Sequence, residues 1–123
     1  MKDDFAQRFP GAIILPYEGR WPTIHNTAFI APGAVVTGDV TVAEYANIWF
    51  GCVLRGDVQS ITIGARTNIQ DGTIIHVTRE IGPTVVGAGV TVGHKALIHA
   101  ATAMDGSFIG MGSIMLDFSV VEP

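Results

Sequence analysis

A single cysteine, Cys52, in 123 residues excludes an intrachain disulfide and points to a reducing compartment, the cytoplasm. Charge is also scarce. Only 15% of residues are Asp, Glu, Lys or Arg, and the seven basic ones are scattered from Lys2 to Lys95 in a chain of net charge −4. Without a basic block, neither nucleic acid nor an anionic membrane is an expected partner. No run approaches the ~18 consecutive apolar residues of a membrane span. The opening MKDDFAQRFPGAIIL has no small-residue cleavage site, so it does not read as a signal peptide. Disorder is excluded by a hydrophobic share of 48%, and the length suits one domain.

What the chain does have is glycine, 15 residues of it, and a six-residue beat. Ile30, Val36, Val42, Ile48 and Leu54 follow one another at spacing six, each trailed by small, polar or turn-forming residues. The beat slips and resumes at Ile63, Ile69 and Ile75, again at Val86, Val92 and Ile98, and once more at Ile109, Met115 and Val121. A period of six fits neither a helix at 3.6 nor an alternating strand, and each glycine would cost a helix about 1 kcal/mol. A hexapeptide β-solenoid resolves this: three units close a triangular coil of about eighteen residues, with the aliphatic side chain inside the shaft. Allowing for insertions, Ile30 to Val121 gives about five coils. We therefore expect an all-β solenoid over residues 23–123, with 1–22 as an N-terminal lead-in or cap.

Histidine is scarce too, and its placement carries the chemistry. His76 follows the shaft residue Ile75 and His99 follows Ile98, so both occupy one outward slot, a coil apart once the stretch from Val77 to Thr84 loops out. Parallel coils stack at ~4.8 Å, which suits two imidazoles sharing a metal. His94 falls one face earlier, so it can complete their site only from a neighbouring subunit. Three imidazoles and a water are the donor set of a catalytic zinc. A trimer with metal in its clefts follows, and His25, outside the repeat register, is a surface histidine.

The strings GDV (38–40), NIWFGCVLRGDVQSITIG (47–64), TNIQDGTIIHVT (67–78), TVVGAGVTVGHKALIHAAT (84–102) and IGMGSIMLD (109–117) resemble the γ-class carbonic anhydrases and their bacterial relatives. The resemblance runs from Phe29 to Pro123. It implies a left-handed parallel β-helix, a hand that the spacing alone does not give. It also implies a homotrimer with zinc, or iron or cobalt in its place, held by His76 and His99 of one chain and His94 of the next. The implied reaction is reversible hydration of carbon dioxide to bicarbonate by a zinc-bound hydroxide. By the same resemblance, Gln70 and Asn68 orient water and bicarbonate, and Arg55, Asp57 and Asp71 form a charged network across the subunit interface.

Three departures stand beside the match. Val58 occupies the place of the family's proton-shuttling glutamate, and Arg79, with Glu80 beside it, occupies the place of a second one. The repeat stops at Pro123, without the family's usual C-terminal helix, which leaves an open β edge. Two alternatives to the zinc lyase therefore stay in view: a hexapeptide acyltransferase using one histidine as general base with coenzyme A, and a metal-binding structural trimer.

Overall fold

The computed structural model describes residues 4–123. In chain order the elements are α1 (Phe5–Arg8), β1 (Ile13–Leu15), β2 (Thr23–Ile24), β3 (Phe29–Ile30), β4 (Val35–Val42), β5 (Asn47–Ile48), β6 (Val53–Ile63), β7 (Asn68–Ile69) and β8 (Ile74–His76). They continue with β9 (Thr84–Val86), β10 (Thr91–Val92), β11 (Leu97–His99), β12 (Thr102–Ala103), β13 (Phe108–Ile109), β14 (Ile114–Met115) and β15 (Val120–Val121).

Every pairing between these strands is parallel, and partners lie one coil apart. One face stacks β3, β5, β7, β10 and β13. The second stacks β1, the first half of β4, the first half of β6, β8, β11 and β14. The third stacks β2, the second halves of β4 and β6, β9, β12 and β15. The chain is thus a parallel β-solenoid of about five coils, as the six-residue beat predicts.

The beat residues fill the shaft. Ile48, Leu54, Ile63, Ile69, Ile75, Val86, Val92 and Ile98 are all fully buried. Burying such aliphatic side chains stabilises by roughly 1.5–3 kcal/mol each, and the small turns between them let the shaft close. The gap between Ile98 and Ile109 has a simple cause: Ala103, paired beside Val86, takes a shaft place with a side chain too small to register as a beat. The first slip is a bulge, where Gly38 pairs with Gly56 but Val40 pairs with Ile61, so Asp57 to Ser60 bow outward. The second is the turn closed by the bridge between Thr78 and Gly82.

The lead-in is joined to this body. β1 pairs with β4, and Phe5 and Phe9 are buried in the same core cluster as Ile24 and Ala28. At the other end β13, β14 and β15 each have one strand partner, and Phe108, Ile114, Phe118 and Val120 are exposed. No helix among the described residues is long and apolar enough to cross a membrane.

Buried threonines link the coils at the corners. The Thr67 hydroxyl donates to the Gly87 carbonyl at 2.5 Å and accepts from Val90 N–H at 3.1 Å. Thr73 does the same with Gly93 and Ala96. Thr84 donates to the His76 carbonyl at 2.6 Å and accepts from Ala100 N–H at 2.8 Å, so it ties together the backbones on either side of the two stacked histidines.

Candidate metal centre

His76 and His99 are direct register partners on β8 and β11. Strand alternation turns both outward from the shaft residues Ile75 and Ile98. Their rings meet edge-on with centroids 5.1 Å apart, and His76 Nδ1 lies 3.3 Å from His99 Nε2. Each outer nitrogen faces a carboxylate: His76 Nε2 is 3.0 Å from Asp57 Oδ1, and His99 Nδ1 is 2.8 Å from Asp117 Oδ1.

Both carboxylates are held in the ionised form. Burial works to raise the Asp57 carboxyl, but the Val58 N–H, the His76 ring and Arg55 outweigh it and keep it below the usual carboxylate range. The Thr78 hydroxyl, followed by the His99 ring, lowers Asp117 in the same way. An ionised carboxylate only accepts, so the outer ring nitrogens carry the protons. In neutral imidazoles this leaves the lone pairs of His76 Nδ1 and His99 Nε2 aimed at one another. Only a shared proton or a cation relieves that arrangement.

The donor set fits zinc. Two nitrogens bound at ~2.0–2.1 Å to a tetrahedral ion stand about 3.3–3.4 Å apart, the separation found here. A carboxylate behind each ring is the usual way a ligating histidine is oriented and made more basic. Among the described residues of one chain, no three His, Cys, Asp or Glu side chains converge to hold an ion.

His94 stands at the corner that leads into this face, half-exposed, with Nδ1 3.3 Å from Asp71 Oδ1. Asn68 and Gln70 lie on β7 and just after it, on the face before that corner, and are bonded to each other. Arg55 and Asp57 pair within the chain through one guanidinium nitrogen at 2.5 Å, and Asp71 stands with His94 rather than with them. The predicted residues thus form two groups at two corners: Arg55, Asp57, His76 and His99 at one, and Asn68, Gln70, Asp71 and His94 at the other. Glu80 is exposed on its turn, with its backbone carbonyl held by Gln59 Nε2 at 2.6 Å. His25 is exposed and bonded to Thr27.

Asp117 is the residue that reading the sequence did not single out, although it closes the string IGMGSIMLD. The available signal was its place one coil beyond His99, two positions after the shaft residue Met115.

Residues 22–56 match the family model described as bacterial transferase hexapeptide, six repeats. Gamma carbonic anhydrase 2, mitochondrial, of Arabidopsis thaliana is 48% identical over 106 residues, 82% of this chain and 38% of that protein. A carbonic anhydrase of Geobacillus kaustophilus is 47% identical over 105 residues, 85% of this chain and 57% of its own. The crystal structure of a putative acetyltransferase of Bacillus cereus superposes with a TM-score of 0.79 at 35% identity, covering 92% of this chain and 76% of that one. The chain belongs to the γ-carbonic-anhydrase-like hexapeptide-repeat family. Its coil is the left-handed parallel β-helix of that family. It spans between 38% and 57% of the length of the two curated relatives named.

Proposed function

We propose that this protein is a zinc-dependent, γ-carbonic-anhydrase-like lyase that interconverts carbon dioxide and bicarbonate in the clefts of a homotrimer. The observation that carries the reading is the pair of inward lone pairs on His76 Nδ1 and His99 Nε2, 3.3 Å apart with a carboxylate behind each ring. In this reading His76 and His99 hold the ion from one side of a cleft and His94 of the next chain holds it from the other. Two different corners carrying complementary parts of one centre call for a head-to-tail ring, and the trimer implied by the family resemblance is such a ring.

When bound, zinc would supply a water acidified toward pKa ~7 and a positive charge for the developing bicarbonate. The chain's own residues do the rest. Asp57 and Asp117 fix the ring orientations and hold a proton on each outer nitrogen. Arg55 holds Asp57, whose side chain is 10% exposed. Asn68 and Gln70 supply amide groups for the O–H of water or bicarbonate. Val58 and Arg79 stand where shuttling glutamates would, and within one chain Asp57 and Asp117 are the carboxylates at the histidine pair.

Metal analysis of the purified protein with a carbon dioxide hydration assay tests this reading. About one zinc per chain and zinc-dependent hydration are expected. The Bacillus cereus neighbour favours a second reading, acyl transfer from coenzyme A. That chemistry needs one histidine as base and gives no role to two rings with facing lone pairs. Coenzyme A binding by metal-free protein, without hydration, would favour it.

A further inference from the structure

We infer that the indole N–H of Trp49 and the backbone carbonyl of Tyr45, acting through Asn47 and Asn68, fix which end of the Gln70 amide is offered to substrate, so that Trp49 and Asn47 are positioning residues. The inference rests on the functional reading above for its consequence, though not for its geometry.

Side-chain amides can present oxygen or nitrogen at nearly the same place, so a neighbour of fixed polarity must settle which. Trp49 Nε1 can only donate, and it lies 2.8 Å from Asn47 Oδ1. The backbone carbonyl of Tyr45 can only accept, and it lies 3.3 Å from Asn47 Nδ2. Both ends of Asn47 are thereby set. Its oxygen also faces Asn68 at 2.5 Å, so the atom presented there must be Asn68 Nδ2. Asn68 Oδ1 is then left toward Gln70 and receives Gln70 Nε2 at 2.8 Å.

The sense of the whole chain runs from the indole outward, and reversing any one amide would set oxygen against oxygen or N–H against N–H. Trp49 is itself held between Phe29 and Phe50, with centroids at 5.1 and 5.7 Å. Asn47 and Asn68 are stacked register partners on β5 and β7.

The outcome at the far end is chemical. Among the described residues Gln70 Oε1 has no partner, so it stands as an acceptor. Water and bicarbonate each carry an O–H to donate to it, and carbon dioxide has none. A reversed Gln70 would present an NH₂ group, which the same hydroxyl could meet only by accepting. The relay thus makes the hydroxyl of water or bicarbonate the donor and Gln70 Oε1 the acceptor.

Neutron diffraction from deuterium-exchanged, metal-free crystals tests the relay directly. We expect one orientation throughout, with deuterons on Asn68 Nδ2 toward Asn47 and on Gln70 Nε2 toward Asn68. Asn47→Asp keeps both acceptor contacts and should keep that orientation. Asn47→Leu, of similar size, should leave Asn68 and Gln70 in mixed orientations and lower kcat/KM for hydration by roughly 10-fold, with zinc content unchanged. If Asn47→Leu does not fold, Asn47→Ala, which also removes the acceptor, replaces it and should give mixed orientations too. The opposite orientation of Gln70 in the unaltered protein, or a single orientation surviving in the Leu or Ala variant, overturns the relay. If the protein never hydrates carbon dioxide, the functional reading fails while the neutron result still decides the relay.

Discussion

His76 and His99, 23 residues apart in sequence, are register partners whose nearest nitrogens are 3.3 Å apart. Asp57 and Asp117 bracket them from outside. Replacing either carboxylate by its amide changes what the ring nitrogen faces while keeping the shape. Asp57→Asn and Asp117→Asn should each weaken zinc binding by about 10–100-fold. Competition against a chelator of known affinity reads this, and unchanged affinity in both variants would remove the carboxylates from the centre.

Thr84 is fully buried and bonded to the His76 carbonyl and the Ala100 N–H. Thr84→Val keeps the volume and loses both bonds, so urea unfolding should show a loss of about 1–3 kcal/mol. Thr67→Val, equivalent but away from the histidines, should cost a similar amount and leave zinc affinity alone, whereas Thr84→Val should weaken it.

The bulge that carries Asp57 depends on two glycines. Gly38 has φ +80°, and a Cβ there would overlap the Gly56 carbonyl; a Cβ on Gly56 would in turn meet the Asp39 carbonyl oxygen. Gly38→Ala and Gly56→Ala should both destabilise, by at least the roughly 1–3 kcal/mol typical of overpacking. Wild-type melting temperatures for both would show that the coils separate there without cost.

Cys52 is buried and its Sγ lies 3.0 Å from the Gln70 carbonyl oxygen. Burial pushes the thiol above its ordinary pKa, which depletes the thiolate at neutral pH. A thiol-disulfide reagent should therefore leave the native protein unmodified and titrate one thiol per chain in denaturant. Rapid native modification would contradict this.

Most of the fold was legible because the shaft admits only apolar side chains at fixed intervals, and Ile48, Ile69 and Ile98 mark those intervals in the sequence. Ala103 was not legible, since a methyl group fills its place without standing out. The stacking of His76 on His99 was legible from slot and coil length. The roles of Asp117, Thr84 and Trp49 were not, because each depends on which side chains from neighbouring coils meet at a corner. The pairing of Arg55 with Asp57 inside one chain likewise follows from the bulge at Gly56, whose shape the hexapeptide period does not encode.

The shared centre is tested most directly by mixing two inactive variants. His94→Ala retains the His76 and His99 pair, and His99→Ala retains His94. If each centre joins His76 and His99 of one chain to His94 of the next, neither variant alone should bind zinc tightly. An equimolar mixture, unfolded and refolded together, should recover about one quarter of the wild-type zinc, the share of interfaces that random assembly of a ring completes. Tight zinc binding by His94→Ala alone, or no recovery on mixing, would contradict the account.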